Sequence, residues 1–202
     1  MKKITKDSIS ETAISLFLER GYNNVTITDI CNECGITKPT FYKYAGSKED
    51  LILNLYDITI NDIVTNTYQF LQVSSHYEQF LIVFHTLIGD SIRFGSDLFS
   101  QMLISNLKQD HNSFSLRENL TRLCVLILQK AQENKEIMNP NPPEVLYNAI
   151  AHMFSGYELN WCIKNGDFDW ADSFYSSLAA VLDVRSDLRD VHVKYSDSSR
   201  QH

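Results

Sequence analysis

Only seven glycines and four prolines interrupt 202 residues. That scarcity of chain breakers suits helices far better than a turn-rich β fold. The few breakers that exist are placed informatively. Gly21, Gly35 and Gly46 cut the first fifty residues into three short segments, each with a glycine where a helix would stop. In the first, about 6–20, Ile9, Ala13, Leu16 and Phe17 follow the spacing of one buried helix face. The second, about 27–34, has Thr26 as N-cap, Asp29 in its first turn and Ile30, Cys31 and Cys34 as an inner stripe. The third, about 38–45, has Thr37 as N-cap and Pro39 in the first turn, where a missing N–H breaks no helical bond. A fourth helix starts at Ser47-x-x-Asp50, which resembles a capping box, and runs to about Phe70. Further helices are expected at about 76–94, 97–109, 113–135, 143–165 and 169–185. The reading is all-α with about nine helices, divided into a head at 1–46 and a helical body at 47–202.

Charge separates these two parts. The net charge is −7, yet residues 1–50 hold seven basic and seven acidic side chains, so the body carries the whole excess. Within the head, no acid lies between Gly35 and Lys48, while Thr37, Lys38, Thr40, Tyr42, Lys43 and Tyr44 crowd together. A neutral head with a local basic patch can approach nucleic acid, whereas an acidic body repels it.

Two short helices joined by Glu33-Cys-Gly-Ile-Thr37 look like a helix-turn-helix, with Gly35 as the left-handed turn residue. In that motif the second helix enters the major groove. Its N–H groups and lysines face phosphate, and its hydroxyls can bond phosphate oxygens. Ile36 and Phe41 would anchor it from inside.

From Ile9 to Leu51 the sequence closely resembles the DNA-binding domain of the tetracycline-repressor (TetR) family. The matching signs are Leu16-Phe17, Glu19-Arg-Gly-Tyr22, Val25-Thr-Ile-Thr-Asp-Ile30, Gly35-Ile-Thr-Lys38, Thr40-Phe-Tyr42 and Ser47-Lys-Glu-Asp-Leu51. The resemblance implies an all-helical homodimer that binds double-stranded operator DNA, with a small-molecule effector held in the larger helical domain. It implies DNA contacts from Thr26, Thr28, Thr37, Lys38, Pro39, Thr40, Tyr42, Tyr44 and Lys48, and the charge of Lys43 on the same helix as Lys38 adds a further candidate. It also implies that the last two helices pair with their mates, using Met153, Gly156, Tyr157, Trp161, Phe174, Leu178 and Val181. His85 sits in the apolar run Phe80–Ile88 that the family uses as a pocket wall; Met102 and Arg122 are further candidates to line the cavity. One departure stands out: the family often has Phe where this chain has Ala45.

Other chemistry finds little purchase. The sequence offers no Gly-rich phosphate loop, nucleophile elbow or paired-carboxylate motif, so no enzyme and no cofactor or metal is expected. Cys31-x-x-Cys34 invites a thiol-sensing reading, but small buried side chains on an apolar stripe explain it more simply. The longest apolar run, Leu123 to Leu128, is too short to span a bilayer, and no apolar segment follows the first lysines. A cytoplasmic regulator is the expectation. The rival is a dimeric interaction protein that barely touches DNA, suggested by the neutral head. Three lysines on each of two subunits (Lys38, Lys43, Lys48) would give a log–log salt slope near −5.

Overall fold

A computed structural model describes residues 4–65, 70, 72–110 and 117–192, with the His192 side chain excepted. Among these residues there are eight α-helices: α1 Lys6–Arg20, α2 Ile27–Cys34, α3 Lys38–Tyr42, α4 Glu49–Thr65, α5 His76–Lys108, α6 Glu118–Glu133, α7 Pro143–Ile163 and α8 Ala171–Leu182. Helix α5 is kinked at Gly95, whose φ of 76° and ψ of 158° are not helical, so its two limbs match the two helices expected at 76–94 and 97–109. Extended pairing among the described residues is one isolated antiparallel bridge, Ile137 to Val184. No described helix is long and apolar enough to cross a membrane.

The chain packs as two compact units. The first joins Met1–Thr59 to Phe94–Ser113, and the second joins Ile60–Arg93 to Phe114–His202. Residue 47 stands just ahead of α4, while packing divides the chain further on, between Thr59 and Ile60 within α4. The physical reason is visible on α4: the Asn54 amide donates to Asp7 Oδ1 at 2.9 Å and to Ser10 Oγ at 3.2 Å, fastening the start of α4 to α1.

In the first unit, the caps explain the short helices. Thr5 and Ser8 form a reciprocal capping box at α1, and Thr26 and Asp29 form another at α2. At α4 the pattern is altered: Ser47 Oγ accepts from the Asp50 N–H, but Asp50 reaches back to the Gly46 N–H. The core is Ile9, Ala13, Leu16 and Phe17 of α1 against Ile30, Phe41, Leu51 and Leu55. Cys31 is buried and Cys34 half-buried, and burial raises both thiols above the ordinary range. That disfavours the thiolate on which reactivity depends.

In the second unit, α6 packs on α7 and α7 on α8. An aromatic cluster of Phe84, Phe154, Trp170 and Phe174 links the first limb of α5 with α7 and α8, with centroids 5.0–5.4 Å apart in the Phe84–Phe154, Phe84–Phe174, Phe154–Trp170 and Phe154–Phe174 pairs. Such pairs contribute about 0.5–1.5 kcal/mol each beyond their area. The buried Glu136 carboxylate caps α5, accepting from the Tyr77 N–H at 2.7 Å and Ser75 Oγ at 3.1 Å.

Candidate nucleic-acid interface

The α2–α3 turn is built by Gly35. Its φ of 64° and ψ of 35° are left-handed, and the Ile36 N–H closes back on the Cys31 carbonyl at 2.9 Å. This is the bonding of a Schellman stop, which needs a residue without a Cβ penalty at Gly35. Thr37 then caps α3: its Oγ1 accepts from the Thr40 N–H at 3.3 Å and lies 2.9 Å from Thr40 Oγ1. Helix α3 ends at Tyr42, earlier than expected, although Lys43 keeps a right-handed helical backbone.

One residue, Phe41, is fully buried and holds α3 down. Around it, Thr37, Lys38, Pro39, Tyr42 and Lys43 are exposed, and Thr40 is half-buried. Tyr42 is 55% exposed and meets Phe41 edge-on. Tyr44 is also exposed, but its hydroxyl donates to the Ile4 carbonyl at 3.3 Å, so part of its role is to hold the chain before α1. Thr28 is exposed. Thr26 is exposed too, though its hydroxyl donates to Asp29 Oδ2 at 2.6 Å, and that bond helps hold the Asp29 carboxyl below its usual range.

Lys48 departs from the expectation of a phosphate contact. Its Nζ donates to the carbonyls of Tyr22 and Val25, both at 2.8 Å, and lies 4.0 Å from the Tyr22 ring centroid. Two of its three donors are therefore engaged inside the unit.

The three candidate ligand residues fall in different units, Met102 in the first and His85 and Arg122 in the second. Met102 belongs to the first unit, where it lines a narrow apolar cleft with Ile52, Tyr56, Phe94, Leu98 and Phe99. His85 lies half-buried in the second unit, where burial lowers its pKa. Arg122, also in the second unit, is exposed and paired with Glu118 one turn earlier, which places it on the surface and not in a cavity.

The dimer candidates divide as well. Trp161, Phe174 and Leu178 are buried against other elements of the same chain, because α7 and α8 direct them into their own aromatic core. Met153, Tyr157 and Val181 are half-buried and Gly156 is exposed. The Tyr157 hydroxyl lies 2.8 Å from Ser177 Oγ and so ties α7 to α8. The apolar side chains that α7 does leave exposed are Val145, Leu159 and Ile163.

Sequence reasoning passed over Glu158. It is buried on α7, where Ser91 Oγ donates to its Oε1 at 2.6 Å, and burial pushes its pKa up to about 7. The signal was present: Leu146, Ile150, Phe154, Glu158 and Cys162 stand four apart, an acid within an apolar row.

A helix, a left-handed glycine turn and a short second helix with an exposed polar face, ahead of an all-helical remainder, define a helix-turn-helix protein. Comparison with known proteins makes this specific. Residues 9–55 match the family model described as bacterial regulatory proteins, tetR family. The uncharacterized HTH-type transcriptional regulator YuxN of Bacillus subtilis (strain 168) is 43% identical over 60 residues, covering 28% of this chain and 21% of that one. The HTH-type transcriptional regulator EthR of Mycobacterium tuberculosis (strain ATCC 25618 / H37Rv) is 37% identical over 54 residues, covering 27% and 25%. The matches thus span about a quarter or less of these relatives. The fold extends further. FadR of Thermus thermophilus, a TetR-family transcriptional repressor solved with lauroyl-CoA, superposes with a TM-score of 0.68 at 21% identity, over 88% of this chain and 93% of that one. FadR of Bacillus halodurans gives 0.64 at 16% identity, over 90% and 96%. The chain thus carries a tetR-family domain at residues 9–55, and its fold as a whole is like that of the two FadR structures.

Proposed function

We propose that this protein is a cytoplasmic transcriptional repressor that binds operator DNA as a homodimer and is modulated by a small molecule. The observation that carries the reading is the exposed face of α3, with Lys38, Pro39, Tyr42 and Lys43 presented around the buried Phe41. Phosphate contacts from Lys43, Thr26, Thr28 and Tyr44 position the head, while Thr37, Lys38, Pro39, Thr40 and Tyr42 reach base edges and neighbouring phosphates. Two such helices about 34–36 Å apart would enter successive major grooves.

The exposed Leu159 and Ile163, one turn apart on α7 beside Gly156, support pairing of two copies through this end of the helix. An effector with an apolar portion is in keeping with the lauroyl-CoA carried by the Thermus thermophilus relative. An effector acts by binding one of two states better, typically by about 1–3 kcal/mol. The named relatives are regulators, which supports a role without catalysis.

A selection of duplexes from a random pool, followed by a salt series on the selected duplex, tests the reading. With Lys48 engaged internally, Lys38 and Lys43 of two subunits give about four neutralised phosphates and a log–log slope near −4. A slope near zero would contradict it. The balanced charge of residues 1–50 favours one rival, a dimeric protein that recruits another regulator; failure to enrich any duplex would favour that rival.

A further inference from the structure

Lys48, Glu49 and Tyr22 connect the first turn of α4 to the loop that leads into α2. The Lys48 ammonium takes up the Tyr22 and Val25 carbonyls at 2.8 Å each. It lies 4.0 Å from the Tyr22 ring centroid and 5.6 Å from that of Phe17. From the next position, Glu49 accepts a hydrogen bond from the Tyr22 hydroxyl. Burial lowers the Lys48 pKa, as expected for an ammonium drawn away from water, and raises that of the Tyr22 hydroxyl. A lysine serving phosphate keeps its donors in solvent; this one is half-buried, with two of its donors on carbonyls and two rings beside it.

The carbonyls it holds matter. Val25 immediately precedes Thr26, the N-cap of α2, and α2 carries α3 through the Gly35 turn. Both carbonyls therefore lie at the point where the chain enters the helix-turn-helix.

We infer that Tyr22, Lys48 and Glu49 are positioning residues, a clamp that fixes the helix-turn-helix on the first turn of α4, and that Lys48 neutralises no phosphate. This rests on the DNA-binding reading above. It gives α4 a direct hold on the reading helix: any reorientation of the first turn of α4 moves the start of α2 with it.

The test compares Lys48→Met, Lys38→Met and Tyr22→Phe with the wild type, using the duplex that the wild-type protein selects from a random pool. Lys48→Met is expected to weaken binding by about tenfold or more at fixed salt, with the salt slope unchanged. Tyr22→Phe, which keeps the ring and the carbonyl, should also weaken binding without altering the slope. Lys38→Met should flatten the slope by about 2, one phosphate on each subunit. Amide hydrogen exchange is measured on the same variants without DNA. Faster exchange in Lys48→Met across residues 25–30, with α1 protected as before, is the expected result. A Lys48→Met slope flatter by about 2 overturns the inference. So does unaltered exchange across residues 25–30, a readout that stands even if the wild type selects no duplex and the DNA-binding reading itself fails.

Discussion

The Glu158 carboxyl is buried on α7 with the Ser91 hydroxyl donating to it, and burial lifts its pKa from 4.5 to about 7. The folded state therefore holds a proton that the unfolded state releases earlier. Stability from this group is fully present below about pH 4.5, falls as the pH rises, and is lost above about pH 7. At 1.36 kcal/mol per pH unit the difference is roughly 3 kcal/mol. Glu158→Gln keeps an acceptor for Ser91 and has no proton to lose. It should be more stable than the wild type at pH 8, with the gap closing towards pH 5, as read from urea midpoints; parallel pH profiles would exclude this. Ala45 raises a different question, since Phe is common there in the family. It is only 5% exposed, so its surroundings are already closed. Ala45→Phe should lower stability by about 1–3 kcal/mol through overpacking. A raised unfolding midpoint would instead reveal unfilled space.

At the scale of elements, two glycines do different work. Gly35 has left-handed angles that end α2 and launch α3, and a Cβ there would meet nothing within 4 Å. The cost of Gly35→Ala is therefore purely conformational, about 1–2 kcal/mol, and Gly35→Asn should recover part of it. Gly95 combines φ 76° with ψ 158°, a region essentially closed to other residues, and its added Cβ would also meet open space. Gly95→Ala should cost about 1–3 kcal/mol or straighten α5. Circular dichroism with denaturant titration separates the two outcomes: a lower midpoint at constant helicity, or increased helicity. The kink lies beside Arg93 and Phe94, where the chain passes from one compact unit to the other.

For the whole molecule, the exposed apolar face of α7 is the feature with the clearest consequence. Leu159 and Ile163 are 44% and 69% exposed. Placing charge there, as in Leu159→Glu with Ile163→Glu, should leave the helical spectrum intact and shift sedimentation from dimer to monomer. Operator affinity should fall with it, because two half-sites would no longer be held by one assembly. A dimer that survives both changes would move the interface elsewhere.

The sequence by itself determined the order and type of the helices. Apolar spacing, capping threonines and sparse glycines are local signals, and local signals set where a helix starts and stops. It also determined the helix-turn-helix, since the Gly35 stop, the Thr37 cap and the Phe41 anchor act within a few residues of one another. What depended on distant partners was decided only by the tertiary structure. Lys48 reads as a basic surface residue until the Tyr22 and Val25 carbonyls, more than twenty positions away, are brought to its ammonium. Trp161, Phe174 and Leu178 have the character of interface residues, and only the packing of α7 on α8 shows that their own chain buries them. Arg122 and Met102 share nothing in sequence that tells surface from cleft; the neighbouring helix faces settle that. Helix formation follows from nearest neighbours along the chain, whereas burial and charge pairing follow from which faces meet when the helices pack.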